Sequence, residues 1–486
     1  MVLAFSVLYF ARALLRAQPD RYREQLHPLI ERALREQEIP GFAIAVVEGQ
    51  QVAYSAAFGV KRLARKDDPV TTATLFHMAS ITKPFVSTAV MQLWERGKVD
   101  LDTPVVKYLP YFQMKDSRYS TITVRQMLSH ISGMPDVDDY EWDKPQFDDG
   151  ALERYVRSLS NLTLLYPPGA QYRYSNMAFE ILGDLVAKVS GGTFEGYVQK
   201  HILGLLGMNK STLLFREADP KLMAAGHVLE DLNPVVSKVY PYNRAHTPSS
   251  NLHSNVLEMS RWAMANMNRG ELDGKRILKA STYDVMWKPA GEKFSNVGIS
   301  WQLGKHRDYA TVGHGGSDTG FRTDLLMIPD KRMAVVVVTN AWWLTPNRFS
   351  RAALDVALGL KPEPLDVRRS VAQELRSTIR QRGAEAAVEQ YYEIKKRKPA
   401  AYDFGEEQLS RLGQDLLEQN RAKDAIAICK LNVEAYPSSA QAHADLAAAY
   451  VAAADKVHAI ESYERSLQLD PGNKEVVEAL NKLRIK

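Results

Sequence analysis

The sequence predicts an α/β fold in which strands from both ends of one long segment form a sheet, followed by an all-α region. Apolar runs typical of strands lie near the start and near the end of residues 21–362, and helical periodicity dominates between them. Strand patterns vanish after residue 362, where alanine becomes frequent. A sheet whose strands come from both ends of a segment, with a block of helices between them along the chain, is an α/β architecture that brings the two ends of the segment together.

The composition is typical of an ordinary globular protein. Hydrophobic residues make up 45% and charged residues 24% of the 486 residues, which excludes a disordered, fibrous or polytopic membrane protein. The single cysteine, Cys429, excludes an intramolecular disulfide and any cysteine-cluster metal site. A net charge of +5 is small for this length and predicts no nucleic-acid partner.

Residues 1–20 form a separate N-terminal segment, either the remnant of a signal sequence or a helix. The apolar run Met1–Leu15 is too short, and contains a charge too early, to predict a transmembrane anchor. A secretory signal carries its positive charge before the apolar run, whereas Arg12 and Arg16 come late in this segment. The sequence therefore leaves a periplasmic or otherwise exported location and a cytoplasmic location both open.

The first elements after this segment are a helix and a hairpin. Leucine, isoleucine and alanine recur at helical spacing between residues 21 and 37, which predicts a helix. Two apolar runs in Gly41–Val60 flank Glu48-Gly49-Gln50, and this pattern predicts a hairpin.

The remaining strands lie far along the chain, between Thr311 and Asn340, with Pro329-Asp330 as a turn. A last helix near Arg348–Leu360 is expected to pack back onto the sheet. Pro362 and Pro364 stop that helix, so we place a boundary between a domain of residues 21–362 and a helical region of residues 363–486.

The helical region contains an internal repeat with a period of 34 residues, at about 406–439 and 440–473. Small residues recur at matching positions, and Pro437 and Pro471 close the two copies. This pattern resembles the tetratricopeptide repeat, in which two antiparallel helices approach closely at small residues. A plain helical bundle with an accidental period remains an alternative.

The motif Ser80-Ile-Thr-Lys83 occurs once in the chain, at the start of a helix predicted to run to Trp94. Residues three apart share a face of a helix, so the lysine amine can reach the serine hydroxyl. The positive potential at a helix N-terminus favours both an alkoxide and an unprotonated lysine. Taken alone, the motif favours an N-capping serine followed by a solvated lysine.

Two further motifs carry candidate chemistry. Tyr174-Ser-Asn176 precedes an apolar helix, and its phenol could shuttle a proton to a leaving group; the alternative is a half-buried loop aromatic. Gly313-His-Gly-Gly-Ser317 opens the late strands, and the backbone N–H groups of Ser80 and Ser317 could form an oxyanion hole. The alternative for this segment is a glycine-rich turn with an ordinary histidine.

The order of these motifs resembles the serine β-lactamase/penicillin-binding superfamily, whose pattern is Ser-x-x-Lys, Tyr-x-Asn and Lys/His-x-Gly. The segments FHMASITKPF, VRQMLSHISGMPD, PPGAQYRYSNMAFEILG and VGHGGSDTGFRTDLLMIPD are similar to the branch of class C β-lactamases, D-alanyl-D-alanine carboxypeptidases and family VIII carboxylesterases. The resemblance covers about residues 21–360 and implies an antiparallel sheet flanked by helices, with a helical insertion.

The resemblance also implies roles for the matching positions. Ser80 would be the acylated nucleophile, Lys83 the base and Tyr174 the proton relay. The expected substrate-binding residues are Asn176, His314, Gly315, Gly316 and Ser317. His130 and Ser132 lie in a segment that more often braces the site in this family, so we leave them outside the catalytic set.

Two departures from the family pattern affect the expected substrate. His314 stands where many β-lactamases carry a lysine, and a histidine is mostly neutral at pH 7, which weakens binding of a substrate carboxylate. Ser250-Asn251 stands where relatives often have two glycines, so the shape of one pocket wall differs. The first departure favours neutral esters or amides as substrates, and the second leaves the shape of that wall open.

Other classes of site leave no trace in the sequence. There is no Gly-x-Ser-x-Gly, no His-Glu-x-x-His and no glycine-rich phosphate loop, so we predict neither a catalytic metal nor a cofactor. The leading hypothesis is an esterase, and a D-amino-acid peptidase or a weak β-lactamase with the same site are close alternatives. An inert scaffold that binds a protein partner, or a second copy, through the repeats is an alternative of another class.

Overall fold

The structure is a computed structural model that describes residues 21–230, 233–363, 365, 369–397 and 399–485. The predicted N-terminal segment, residues 1–20, lies outside the described residues. The chain forms two compact units, as far as it is described. The first comprises residues up to 31, 39–228 and 236–365, and the second comprises residues 32–38, 229–235 and 366–486.

Seven strands form one antiparallel sheet in the first unit, in the order β10-β11-β12-β13-β1-β2-β3. Along the chain, the strands of the described residues are β1 (Gly41–Glu48), β2 (Gln51–Arg62), β3 (Arg65–Pro69), β4 (Phe76–His77), β5 (His227–Glu230), β6 (Asn233–Val236), β7 (His253–Ser254), β8 (Glu271–Leu272), β9 (Lys275–Arg276), β10 (Gln302–His306), β11 (Tyr309–Asp318), β12 (Phe321–Ile328), β13 (Met333–Thr339), β14 (Arg369–Ser370) and β15 (Tyr402–Asp403).

Helices make up most of the rest of the described chain. In order they are α1 (21–36), α2 (Thr82–Glu95), α3 (Val124–Leu128), α4 (Ala151–Ser158), α5 (Asn176–Ser190), α6 (Phe194–Val198), α7 (Thr247–Ser250), α8 (Val256–Met267), α9 (Thr282–Met286), α10 (Pro346–Ala357), α11 (Val371–Arg382), α12 (Ala384–Arg397), α13 (Glu406–Glu418), α14 (Ala422–Ala435), α15 (Ala440–Ala452), α16 (Lys456–Leu469) and α17 (Lys474–Ile485).

The strand β1 is apolar at nearly every position because both faces of the sheet are covered. Ala43 and its neighbours on one face join a core that includes Trp262 of α8. On the opposite face, the rings of Phe42 and Phe349 of α10 lie 5.0 Å apart. A strand buried on both sides reads as a continuous hydrophobic run rather than an alternating one, which is what residues 42–47 do.

Two buried helices, α2 and α5, hold the residues of greatest chemical interest in the first unit. The side chains of Thr82 to Leu93 in α2 are buried almost without interruption, and Phe85 stacks on Trp262 with ring centroids 3.9 Å apart. Ser175 caps α5 by accepting a hydrogen bond from the N–H of Ala178, and Gly191 ends the helix in the left-handed conformation. Packing thus fixes α2 in position, and packing together with caps fixes α5.

From residue 369 onwards, the described part of the second unit is helical apart from the short strands β14 and β15, and its described residues between 229 and 235 belong to β5 and β6. The pair α13 and α14 recurs as α15 and α16 with starting residues shifted by the same amount along the chain. A Cβ on Gly413 would lie 2.6 Å from the sulfur of Cys429, so the glycine allows α13 and α14 to approach closely. The identity of these repeats as tetratricopeptide repeats, and the boundary at residue 362, stay predictions.

The predicted fold class is confirmed, with differences in detail. The first helix ends at residue 36, and the helix expected from Ser80 begins instead as a 3₁₀ turn at Ala79–Ile81 that leads into α2. The sequence analysis missed β3 and β10, because both are polar edge strands without an apolar run. No helix in the described part of the chain combines the length and apolarity needed to cross a membrane.

Candidate active site

Ser80 lies on the 3₁₀ turn that precedes α2, where the backbone is held from several directions. Ala79 adopts a left-handed conformation, with φ of 50°, which strains a residue that has a Cβ. The N–H of Met78 donates to the carbonyl of Leu252 at 2.7 Å, and Thr323 Oγ1 on β12 donates to the carbonyl of Met78 at 2.9 Å. These contacts hold the turn between the sheet and the segment that follows α7.

Lys83 projects from the first turn of α2 towards Ser80 and is completely buried. Its Nζ lies 2.9 Å from Ser80 Oγ, 2.5 Å from Asn176 Oδ1 and 2.8 Å from the carbonyl oxygen of Ser249. The spacing of three residues therefore places amine and hydroxyl in hydrogen-bond contact, as the sequence predicts.

The three contacts of Lys83 fix the direction of its lone pair. Asn176 Oδ1 and the Ser249 carbonyl can only accept hydrogen bonds, so each receives one N–H from a neutral amine. The remaining position on Nζ, which carries the lone pair, then faces the hydroxyl of Ser80. The geometry suits proton transfer from Ser80 Oγ to Lys83 Nζ.

Burial favours the neutral form of this amine. Desolvation lowers the pKa of Lys83 from 10.5 to about 8, and the negative charges of Glu180, Asp318 and Asp136 oppose this change. Near neutral pH, an appreciable fraction of Lys83 is therefore unprotonated and able to act as a base.

Asp136 determines which way the Asn176 amide points. Its carboxylate accepts the backbone N–H of Asn176 at 2.7 Å and the side-chain Nδ2–H at 3.1 Å. Because a carboxylate cannot donate, the amide nitrogen must face Asp136 and the amide oxygen must face Lys83. Asn176 is the first residue of α5, and the cap at Ser175 fixes its backbone.

Tyr174 places its phenol beside the hydroxyl of Ser80. It makes a side-chain hydrogen bond with Ser80, and burial raises the pKa of Tyr174 well above its ordinary value. Its ring stacks on that of His130 with centroids 4.1 Å apart, and Lys83 Nζ lies 4.9 Å from the ring centroid of Tyr174. Tyr174 is thus a neutral phenol at physiological pH, able to pass on a proton but not poised as a phenolate.

His130 supports this arrangement from behind. Its Nδ1 accepts the N–H of Ser175 at 3.1 Å, and burial lowers the pKa of His130 well below its ordinary value. A neutral, stacked imidazole holds Tyr174 in place without contributing charge.

His314 is buried on β11 and is neutral as well. Burial, together with the nearby charge of Lys83, lowers the pKa of His314 to about 3. Its Nδ1 lies 2.6 Å from the carbonyl oxygen of Gly315, which can only accept, so Nδ1 carries the proton and Nε2 carries a lone pair. This histidine offers an acceptor where a lysine would offer a positive charge.

The glycines that follow His314 let β11 approach the turn that carries Ser80 closely. A Cβ on Gly316 would lie 2.4 Å from the carbonyl oxygen of Met78, so only glycine fits without a shift of the backbone. This approach sets the strand Gly315–Ser317 against the turn that carries Ser80, where the backbone N–H groups of Ser80 and Ser317 are the proposed oxyanion donors.

The substituted pair Ser250-Asn251 has hydrogen-bond partners that glycines could not have. Ser250 Oγ donates to the carboxylate of Asp318, which also lies 2.7 Å from His77 Nε2. Asn251 Nδ2 donates to the carbonyl of Asn243 at 2.9 Å. Ser250 thus ties this segment to the end of β11, and Asn251 ties it to the segment before α7.

Of the side chains that the sequence analysis proposed for the site, the structure brings together Ser80, Lys83, Tyr174, Asn176 and His314. The sequence analysis missed Asp136, Glu180 and Ser249, which act on Lys83 through contacts or charge. One signal was present: Glu180 is an acidic residue within the apolar first half of α5, four residues after Asn176. Within the described ranges, His, Cys, Asp and Glu side chains form no group of three able to hold a metal ion.

Comparison with known proteins gives matches along the first unit. A family model described as Beta-lactamase matches residues 26–359. Protein flp of Staphylococcus aureus (strain MW2) is 27% identical over 319 residues, which cover 65% of this chain and 63% of flp. The match thus spans less than two thirds of the length of that relative.

Two solved structures share the fold. The octameric penicillin-binding protein homologue from Pyrococcus abyssi is 25% identical, with a TM-score of 0.62, and the match covers 72% of this chain and 80% of that one. A penicillin-binding protein from Bacillus halodurans is 23% identical, with a TM-score of 0.57, over 68% of this chain and 98% of that one.

Proposed function

Because this chain belongs to the beta-lactamase family, within the superfamily of β-lactamases and penicillin-binding proteins, we propose that it is a serine hydrolase that forms an acyl-enzyme at Ser80. Its preferred substrates are esters of small or medium carboxylic acids. The observation that carries the proposal is the buried amine of Lys83, whose lone pair is directed at the Ser80 hydroxyl by two oxygens that can only accept.

The first chemical step is acylation. Ser80 Oγ attacks the carbonyl carbon of the ester while its proton passes to Lys83 Nζ. The carbonyl oxygen becomes an oxyanion, which the backbone N–H groups of Ser80 and Ser317 stabilise. The protonated Lys83 then donates one N–H to each of three oxygens, namely Asn176 Oδ1, the Ser249 carbonyl oxygen and Ser80 Oγ. The Oγ of Ser80 can accept because it no longer carries a hydrogen.

Collapse of the tetrahedral intermediate breaks the bond to the leaving alcohol. The alkoxide takes its proton from the phenol of Tyr174, and Tyr174 regains a proton from Lys83, whose ammonium lies over its ring. Water then attacks the acyl-enzyme and gives its proton to the same pair. The carboxylic acid is released, and Ser80 recovers its hydrogen.

The preference for neutral esters rests on the charges around the site. Asp136, Glu180 and Asp318 place negative charge near Lys83, and His314 is neutral and presents a lone pair. A carboxylate on the substrate, as in β-lactams and in peptides that end in D-alanine, would meet this acceptor and these charges without the lysine that many relatives provide.

Intact-protein mass spectrometry tests the proposal. The wild-type protein is incubated separately with p-nitrophenyl butyrate, ampicillin and a fluorophosphonate, beside Ser80→Ala and the matched control Ser120→Ala, whose serine is exposed on the surface. We expect ester turnover and a fluorophosphonate adduct that disappear only in Ser80→Ala. A persistent ampicillin adduct would instead favour a penicillin-binding peptidase, and the absence of any Ser80-dependent adduct or turnover would refute the hydrolase.

A further inference from the structure

We infer that Glu180 is a positioning residue for Lys83: through Ser249 it holds one acceptor of the amine, and its charge favours the protonated amine. The inference deepens the proposed function and rests on it, because it concerns the group proposed as the base. Glu180 lies in the quoted segment PPGAQYRYSNMAFEILG, but it is none of the residues to which the family pattern of Ser-x-x-Lys, Tyr-x-Asn and Lys/His-x-Gly gives a role.

Glu180 lies one helical turn after Asn176 on α5 and is completely inaccessible to solvent. Its Oε1 accepts the hydroxyl hydrogen of Ser249 at 2.6 Å and lies 3.3 Å from Nδ1 of His246. Its Oε2 is buried and makes no hydrogen bond with the residues that the structure describes. A buried carboxylate without full pairing is costly, so its retention here calls for a role beyond packing.

Ser249 connects this carboxylate to the amine. Its hydroxyl binds Glu180, and its own carbonyl oxygen accepts the N–H of Lys83 at 2.8 Å. The helix α7 around it has only four residues, too few to hold the carbonyl by its own hydrogen bonds. The Glu180 contact therefore fixes the orientation of an acceptor on which the lone-pair direction of Lys83 depends.

The charge of Glu180 also acts on Lys83 directly. Burial raises the pKa of Glu180, while its contacts with His246 and Ser249 favour the ionised form. Of the groups whose charges act on Lys83, Glu180 is the strongest of the three carboxylates, ahead of Asp318 and Asp136. Removal of the Glu180 charge should lower the pKa of Lys83 further.

The remaining titratable groups around the pair are neutral or aromatic. His130 and His314 face Lys83 from two other elements as neutral imidazoles, and Tyr174 faces it as a neutral phenol. The rings of Tyr140 and Tyr155 pack against His246, the other partner of Glu180, with ring centroids 4.9 and 4.5 Å from that of His246.

The test follows the rate at which a fluorophosphonate modifies Ser80 as a function of pH. In this reaction Ser80 Oγ bonds to phosphorus, the phosphorus–fluorine bond breaks, fluoride leaves and the hydroxyl proton passes to Lys83. The rate therefore reports the base without any need to know the natural substrate. The variants are Glu180→Gln, Ser249→Ala and the matched control Asp184→Asn, which removes another buried carboxylate of α5, one that accepts from the Tyr111 hydroxyl at 2.6 Å.

We expect the acid limb of the profile to move about one pH unit lower in Glu180→Gln, the usual scale for a nearby buried charge. In Ser249→Ala the His246 contact still favours the ionised form of Glu180, so the limb should stay near its wild-type position while the plateau rate falls several-fold. Asp184→Asn should match the wild type in both respects. A structural defect alone would not shift the acid limb in one variant and lower the plateau rate in the other.

Two outcomes would overturn the inference. If Glu180→Gln keeps the wild-type limb, or if Ser249→Ala keeps the wild-type plateau, Glu180 does not act on Lys83 as inferred. Should Glu180→Gln fail to fold, Ser249→Ala decides alone. A wild-type protein that shows no labelling of Ser80 at any pH would refute the proposed function instead, so the two failures are distinguishable.

Discussion

Replacement of Lys83 by arginine tests the proposed base most directly. Arginine keeps a positive charge and a long side chain, but it stays protonated at any accessible pH and cannot accept a proton. We expect Lys83→Arg to lower kcat/KM for p-nitrophenyl butyrate by about 10²–10⁴-fold at pH 8, the usual contribution of a general base.

The structure also fixes where the wild-type rate should change with pH. With a pKa of about 8, Lys83 is neutral in about one molecule in ten at pH 7, against about one in three thousand at the ordinary value of 10.5. Burial therefore makes the base roughly 300-fold more available at pH 7. Because the active form is the unprotonated one, the rate should rise with pH up to about 8 and then level off.

The assay is kcat/KM between pH 5.5 and pH 10, corrected for spontaneous hydrolysis, with Lys98→Arg as a control at an exposed lysine. An acid limb centred below pH 6 would assign it to another group. A limb that rises beyond pH 10 would mean that burial does not lower the pKa of Lys83. A Lys83→Arg protein within ten-fold of the wild type would remove Lys83 from the mechanism.

Two further predictions concern single contacts. Tyr174→Phe keeps the stacked ring but removes the hydroxyl that we propose as the proton donor to the leaving group, so kcat should fall by about two to four orders of magnitude in steady-state ester hydrolysis. Gly413→Leu forces a side chain against Cys429 between α13 and α14, so the second unit should lose about 1–3 kcal/mol in urea unfolding followed by circular dichroism.

Each has a matched control. Tyr172→Phe removes a hydroxyl from the neighbouring exposed tyrosine and should leave kcat unchanged; a Tyr174→Phe protein with the same kcat as this control would exclude the relay. For the helical unit, Cys429→Ala in the Gly413→Leu background should restore part of the lost stability. The absence of any such coupling would show that the two side chains do not compete for space.

The sequence was sufficient to predict the parts of the site that depend on short spacing. Ser80 and Lys83 meet because residues three apart share a helical face, and His314 lies on β11, in the region where the sequence predicts the late strands. The strand patterns near both ends of residues 21–362 also predicted the architecture, in which strands from the two ends form one sheet.

The parts that could not be predicted depend on contacts between distant segments. Asp136 lies in a motif that the sequence analysis quoted, yet its hold on the Asn176 amide becomes visible only when the loop after α3 meets the start of α5. Ser249 acts through its backbone carbonyl, which any residue possesses, so no side-chain pattern could indicate it. The sequence analysis missed the strand β3 because a short, charged edge strand shows neither strand propensity nor an alternation of apolar and polar residues.

The pairing of β1 with β13 has a consequence for how the protein is made. Ala43 pairs with Val338, roughly 300 residues later, and at ordinary rates of synthesis the ribosome needs roughly 15–60 s to reach the second strand. During that interval the apolar β1 has no partner on this side, and the turn that carries Ser80 lacks the support of Thr323. The ribosome therefore synthesises Ser80 long before it synthesises the strands that support the turn around Ser80. Products that stop short of β13 would expose a hydrophobic strand edge, a substrate for chaperones and proteases rather than a slower enzyme.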